Sequence, residues 1–322
     1  MLVYSEKQLP VESMSDAEIE IALGPTGAMI EIEGSSLPES WRDVVNSIEI
    51  FDEGVTMIIG HSDTGKSALC AYLMNELIKR KRKVRVIDAD IGQAEIGPPT
   101  TLASSTPSLP RPTLSNLEPD RIFFVGHNTP SFVQSQVLNG IKRLLSPEQA
   151  GITVINTDGW IRDSAAILYK KHLISRIKPD VIVGIGSKSS LNPIVGTTGI
   201  LTNLVESPRV IIPRTRTERR QIRKNGYQRF LSNSTLHNLE LDNTKLRLRE
   251  SVSQALSKNN SDLTNIVLGL LNDKGFMQQI GILESATSSS LTVYSRTINQ
   301  PVTVEFGYVR LSRDGSELGF FE

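Results

Sequence analysis

Residues 60–67 read Gly-His-Ser-Asp-Thr-Gly-Lys-Ser. This spacing of glycines, lysine and hydroxyl suits phosphate binding and fits the P-loop pattern G-x-x-x-x-G-K-[ST]. Gly60 and Gly65 let the backbone turn without a Cβ between it and an anion. The amides from Gly60 through His61, Ser62, Asp63, Thr64, Gly65, Lys66 and Ser67 to Ala68 are the candidate nucleotide-binding surface, reinforced by the positive end of the next helix. Lys66 can reach the β- and γ-phosphates of ATP, and the Ser67 hydroxyl can ligate Mg²⁺. Asp88 and Asp90 form a second candidate pair, in Asp-Ala-Asp-Ile-Gly-Gln. They are either ligand-facing acids or loop acids and caps. Further on come Thr-Asp-Gly-Trp at 157–160 and an arginine-rich stretch at 214–229 with seven Lys/Arg against one Glu.

These residues need elements to place them. Residues 55–59 are apolar and predict a buried parallel strand entering the loop. Residues 68–78 predict a helix leaving it, with Leu69, Tyr72, Leu73 and Leu77 on one face. Further strands are expected at 84–90, 121–126, 152–156, 180–185 and 210–212, and helices at 131–145 and up to 177. Strands alternating with helices give an α/β fold, a parallel sheet covered on both faces. Ligands then bind beyond the carboxyl ends of the strands, where Asp88 and Asp90 arrive. The Pro- and Ser-rich stretch at 97–112 is expected to be a long connection. The basic run at 79–85 lies at the far end of the first helix, where it complements the helix's negative pole rather than a ligand. Arg216, Arg219, Arg220 and Arg223 recur at helical spacing, as either a solvated basic helix or a lid carrying arginines to phosphates. Residues 18–33 suggest a short hairpin, and residues from 233 onward a β-rich pattern. The expected organisation is a β segment at 1–36, a P-loop domain with its lid at 37–232 and a β-rich domain at 233–322.

Composition sets the outer bounds. The 322 residues carry 35 basic and 35 acidic side chains, so any nucleic-acid partner must be held by local patches. One cysteine, Cys70, rules out an internal disulfide framework and is expected as a small buried hydrophobe. There is no membrane-length apolar run and no signal-peptide pattern, so a soluble, cytoplasmic protein without a membrane partner is expected. Ser-Lys-Ser-Ser at 187–190 lacks the aspartate that reads guanine, which argues against a signalling GTPase. His61 stands where partition-type ATPases carry an extra lysine.

The P-loop, Asp-Ala-Asp-Ile-Gly-Gln, Asn-Thr-Asp-Gly-Trp and the arginine-rich lid, in this order and spacing, resemble the polynucleotide 5′-hydroxyl kinase family. That family includes the kinase subunit of the mRNA cleavage factor and rRNA-processing kinases, and the chain is most similar to compact archaeal-type members. The resemblance covers roughly residues 37–232. It implies that Asp90 is the general base and that Gln93 holds the substrate. It implies a clasp of Thr157, Gly159 and Trp160 with the indole on the terminal base, and lid arginines at Arg214 and Arg219. It implies ATP as cofactor and 5′-OH ends of RNA or DNA as partners. Phosphoryl-transfer chemistry itself calls for Mg²⁺ on Ser67, with Asp88 nearby as a ligand to Mg²⁺-bound water or as an orienting group. His61 replaces a frequent proline and Ser67 a commoner threonine, and neither change removes chemistry. The short N-terminal segment lacks the large β domain of eukaryotic members, which weakens any expectation of a large processing complex. Trp160 is read as a stacking surface or as a core aromatic. The alternative function is a non-catalytic P-loop subunit that binds nucleotide and RNA as scaffold or switch. A small-molecule kinase has no use for a Trp clasp.

Overall fold

The strand that feeds the P-loop lies inside a seven-stranded sheet and is buried on both faces. A computed structural model describes residues 37–145, 151–209, 211–242, 244–257, 263–287, 289–296, 301 and 303–321. The expected hairpin at 18–33 falls outside the described residues. In chain order the elements begin with α1 (Glu39–Glu49), β1 (Gly54–Gly60), α2 (Lys66–Lys79), β2 (Val84–Ala89), β3 (Thr101–Ser105) and β4 (Arg121–Phe124). They continue with α3 (Gln134–Leu144), β5 (Ile152–Thr157), α4 (Ser164–Ile177), β6 (Val181–Ile185), α5 (Lys188–Val195), β7 (Leu201–Val205) and α6 (Arg216–Leu231). The remainder is β8 (Thr235–Glu240), β9 (Lys245–Arg247), α7 (Glu250–Ser257), β10 (Ile266–Leu271), β11 (Met277–Ala286), β12 (Ser290–Ser295), β13 (Thr303–Leu311) and β14 (Glu317–Phe320).

The first sheet has the order β4-β3-β2-β5-β1-β6-β7. The strands from β2 to β7 along this order are parallel, while β3 runs antiparallel to both β2 and β4. Alternation along β1 sends Ile58 to one face, among α1 and α2. Met57 and Ile59 go to the other, among α3, α4 and α5. Trp41, Val44, Val45 and Ile48 recur at helical spacing on the buried face of α1. The Trp41 indole also donates to the Glu206 carbonyl at 2.9 Å, fastening α1 beside the end of β7. Cys70 is buried, and burial pushes its thiol up, as suits a packing residue. The basic run ends α2 away from the P-loop, where Arg82 meets Asp52 at 3.1 Å and Arg80 meets Glu49.

Three expectations are corrected. Residues 211 and 212 are not in a strand; the last parallel place belongs to β7. At the sheet edge β7 is only partly buried, and Thr202 and Asn203 interrupt its apolar residues, so no apolar run announces it. The connection at 97–112 contains β3, whose Thr-Leu-Ala-Ser-Ser is buried but only weakly apolar. The sheet is therefore mixed at one edge rather than wholly parallel.

The second sheet, in the order β14-β13-β10-β11-β12-β8, is antiparallel along that path, with β9 parallel to β13. It seats on β4 through glycines. A Cβ at Gly269 would lie 2.5 Å from Phe124, and one at Gly126 would lie 2.7 Å from Gly307. Tyr308 N–H donates to the Gly126 carbonyl at 2.8 Å. Val267, Ile280 and Val309 join the α1–α2 cluster, so the two sheets share a core.

Candidate functional site

β1 ends at Gly60, where a Cβ would stand 2.6 Å from the Ile185 carbonyl oxygen. The chain turns there, and Gly65, at φ 99°, launches α2 from the left-handed region that glycine tolerates best. Lys66 and Thr64 both donate to the His61 carbonyl, at 2.9 and 2.8 Å. The His61 ring nitrogen Nδ1 lies 2.9 Å from the Ser62 carbonyl. Lys66 is buried, and burial pushes its ammonium down, with Asp90 pulling the other way. A buried ammonium at a helix N-terminus, holding only a carbonyl, suits an incoming phosphate.

Asp88 and Asp90 leave β2 on this side but take different roles. Asp88 Oδ2 accepts the amides of Glu95 at 2.7 Å and Ile96 at 3.2 Å. Its Oδ1 accepts the Asp90 amide at 3.3 Å and Asn156 Nδ2 at 3.1 Å. Of the two roles expected for Asp88, a ligand to Mg²⁺-bound water or an orienting group, those four bonds favour the second, in which it folds the 90–96 loop. Burial pushes its carboxyl up to about 6. Asp90 Oδ1 accepts the amides of Gly92 at 3.2 Å and Gln93 at 3.1 Å. Its Oδ2 takes no hydrogen bond from the described residues. Burial pushes the Asp90 carboxyl up to about 6 against the pull of Lys66.

The metal expectation for Ser67 gains two neighbours that the sequence did not announce. Asn156 Nδ2 lies 3.3 Å from Ser67 Oγ. Asn156 Oδ1 is buried and without a hydrogen-bond partner among the described residues. The Glu95 carboxyl stands near the same hydroxyl; burial raises it and Ser67 lowers it. An orphaned amide oxygen, a carboxylate and a hydroxyl fit the hard-oxygen preference of Mg²⁺. Asn156 sits at the end of a strand beside β1, the one signal that could have found it.

The 157–160 segment, the expected clasp, rests on the P-loop. A Cβ at Gly159 would lie 2.5 Å from the Ser62 amide nitrogen, so only glycine fits there. Thr157 differs from the expected substrate contact: it is buried, and its hydroxyl donates to the Ile58 carbonyl at 2.7 Å. It therefore pins the base of the clasp to β1. Trp160 is half-buried; its ring centroid is 5.6 Å from that of Tyr169, tilted by 30°. Its Nε1 donates to Asp163 Oδ2 at 2.6 Å, and its amide to Asp158 Oδ1 at 3.0 Å. Beneath, the wholly buried Lys170 meets Asp158 Oδ2 at 2.8 Å, and Tyr169 donates to the same oxygen at 3.2 Å. Burial and Asp158 hold the Tyr169 hydroxyl protonated. Sequence reasoning missed this support because Lys170 sits in a helix as an ordinary charge would.

The arginine-rich segment crosses the P-loop. Thr215 and Glu218 form a capping box that starts α6. Arg219 Nη2 meets Asp63 Oδ2 at 2.6 Å, and the Arg214 amide donates to the same oxygen at 2.9 Å. Arg214 Nη1 reaches Gln93 Oε1 at 3.4 Å. The rest of the helix is anchored. Arg223 grips both oxygens of Glu317 at 2.7 Å, Lys224 meets Asp314 at 2.5 Å, and Arg220 donates to the Glu317 carbonyl. The expectation of a lid presenting arginines along its length is thus narrowed to its first turn.

A buried parallel strand, a P-loop and a following helix, with acids arriving from the neighbouring strand, define a P-loop nucleotide-binding protein. The family model for the mRNA cleavage and polyadenylation factor CLP1 P-loop matches residues 60–233, and the chain belongs to that family. A polyribonucleotide 5′-hydroxyl-kinase of Pyrococcus furiosus is 29% identical, covering 83% of this chain and 90% of the relative. One from Pyrococcus horikoshii is 30% identical over 83% and 88%, and one from Methanocaldococcus jannaschii 25% over 89% and 96%. Among solved structures, the wild-type Clp1p–Pcf11p complex shares the fold, with a TM-score of 0.60, 13% identity, and coverage of 84% of this chain and 79% of that one. No helix among the described residues is long and apolar enough to cross a membrane.

Proposed function

We propose that the chain is an ATP-dependent polynucleotide kinase that moves the γ-phosphate of ATP onto the 5′-hydroxyl end of RNA and/or DNA. The observation that carries this reading is the open Oδ2 of Asp90, held by its own loop within the field of Lys66. The loop amides and Lys66 bind the phosphates. Asp90 Oδ2 accepts the proton of the 5′-hydroxyl as its oxygen bonds to the γ-phosphorus, and the bond from that phosphorus to the bridging oxygen breaks, releasing ADP. Arg219 and Arg214 exchange Asp63 for the transferring phosphoryl oxygens. Mg²⁺ at Ser67, with Asn156 and Glu95 around it, would supply charge neutralisation between the β- and γ-phosphates. The half-exposed indole of Trp160, fixed by Asp163 and Tyr169, offers a face to the terminal base, and Gln93, on the Asp90 loop, would help hold the substrate. A cytoplasmic location accords with one buried cysteine and no long apolar helix among the described residues.

The test is incubation with γ-labelled ATP and oligonucleotides carrying either a 5′-hydroxyl or a 5′-phosphate. Label on the 5′-hydroxyl strands alone is expected. Release of free phosphate with no labelled strand would replace this reading with that of a non-transferring nucleotide-binding subunit.

A further inference from the structure

Three aromatic rings stand at the ligand end of the sheet, outside the site described above. β4 runs in the same direction as β2 because β3 lies antiparallel between them. Its carboxyl end therefore opens beside the Asp90 loop. The segment that follows holds His127, buried, with Phe132 stacked on it at 4.9 Å and 27°. Phe320 of β14 stacks on the same imidazole at 4.9 Å and 11°, and Tyr308 meets it edge-on at 5.2 Å. His127 Nδ1 accepts the Thr129 amide at 2.9 Å, which places the ring proton on Nε2. Burial, with a smaller push from Arg249, lowers the imidazole to about 4, so it stacks as a neutral ring. Yet Phe132 is 72% exposed and Phe320 48% exposed. Two large exposed rings stacked on one buried imidazole are an interaction surface rather than scattered apolar residues.

The surface is continuous with the site. A Cβ at Gly92, in the Asp90 loop, would lie 2.9 Å from the Asn128 carbonyl oxygen. Asn128 donates to Glu317 Oε1 at 2.7 Å, and Arg220 of the lid helix to the Glu317 carbonyl, on the strand that carries Phe320. Along the edge of the sheet the order is P-loop from β1, the 157–160 segment from β5, Asp90 from β2 and, after β4, His127 and Phe132 with Phe320 of β14 stacked on the imidazole. An acceptor whose 5′ end meets Asp90 has its ATP on the β1 side. Its remaining nucleotides leave on the other side, where β4 stands two strand spacings, about 10 Å, beyond β2. Aromatic faces with an arginine beside them suit single-stranded nucleic acid, where bases stack and cations follow the phosphates.

We propose that Phe132 and Phe320, stiffened by His127, form a second stacking platform for a nucleotide downstream of the 5′ end of a single-stranded acceptor, with Arg220 as its backbone contact. The proposal rests on the kinase reading for its direction, and its test separates the two. Binding of a fluorescent 5′-hydroxyl dinucleotide and hexanucleotide is measured by anisotropy, alongside KM for each in the transfer assay. The wild-type protein is expected to favour the hexanucleotide. Phe132→Ala and Phe320→Ala should each remove about tenfold of that preference, within the range of base stacking. KM for ATP and for the dinucleotide should hold, and Phe132→Trp should retain the preference. Variants that keep the wild-type length preference, whatever their melting temperature, would show that the rings only pack within the protein and would overturn the proposal. Equal losses on both lengths would overturn it too. A wild-type protein that binds the hexanucleotide but transfers no phosphate removes the kinase reading, and the platform then stands or falls on the binding ratio alone.

Discussion

Asp90 uses its two oxygens differently, and that division makes its role testable. Oδ1 holds the Gly92 and Gln93 amides, a task that an asparagine oxygen can perform. Oδ2 takes no donor from the described residues, and only a carboxylate there can take a proton from a hydroxyl. Asp90→Asn should therefore keep the fold and the affinity for ATP while lowering kcat by about 10²–10⁴-fold. Calorimetry with ATP and a transfer assay on one sample check this, and a near-normal kcat would remove Asp90 from the mechanism. Because burial raises the carboxyl to about 6, the basic form is lost as pH falls through about 6. The kcat/KM of the wild-type protein should rise through that region and level off above it. Trp160→Ala should raise the oligonucleotide KM about ten- to a hundredfold, the value of one stacked base, and leave KM for ATP unchanged. Trp160→Phe keeps a ring for Tyr169 but loses the bond to Asp163, so it should recover part of the loss. A fall in melting temperature with unchanged oligonucleotide KM would make the indole a packing residue. At this scale the motifs were legible because phosphate chemistry fixes residue types. Asn156, Glu95 and Lys170 were not, since their meaning comes only from the fold that brings them to Ser67 and Asp158.

Among the elements, the lid shows what a helical period cannot. Arginines at 216, 219, 220 and 223 announce a basic helix, but not which residue holds each one. Asp63 takes Arg219 and the Arg214 amide, while Glu317 takes Arg220 and Arg223. Burial works to raise the Asp63 carboxyl, but Arg219 and Arg214 outweigh it and hold it below the ordinary range. A depressed carboxyl keeps its ion pair at any pH above the ordinary aspartate value and loses it only as pH falls through the lowered one. The latch therefore persists at neutral pH. Asp63→Asn should free the first turn of α6 when no nucleotide is present, seen as faster tryptic cleavage at 214–219, with ATP restoring protection. An unchanged cleavage rate would mean that Asp63 does not hold the lid. Arg219→Ala should lower kcat by about a thousandfold, far more than it raises KM for ATP. Losses confined to oligonucleotide affinity, and relieved at low salt, would reduce the segment to an electrostatic patch. The two strands of the first sheet missed from sequence share one cause. β7 is only partly buried at an edge and β3 is short with two apolar residues in five, so neither carries an apolar run like residues 57–59 of β1 or the run of β6.

Across the whole molecule, the C-terminal sheet supplies the acids that hold the arginine-rich helix α6. The turn and strand at 313–317 looked from sequence like the end of a β-rich segment, with no link to the arginines nearly a hundred residues earlier. In the fold, Glu317 receives Arg223 Nε and Nη2 at 2.7 Å each, with Asn128 on the same carboxylate. Both side chains are largely shielded, at 18% and 12% exposure, so the pair is stronger than a surface ion pair. Glu317→Gln removes the charge and one of the two arms, and should cost about 1.5–3 kcal/mol, the range for charged hydrogen bonds. If the sheet only adds stability, the melting temperature falls and kcat at a permissive temperature stays constant. If it mounts the lid, kcat falls as well, because Arg219 lies one helical turn from Arg223 and loses its bearing. The latter is expected. Arg223→Ala should then reproduce the effect, and Glu317→Gln added to Arg223→Ala should cause little further loss, since both remove one interaction. Additive losses in kcat would mean that the two residues act separately and that the second sheet does not steer the lid.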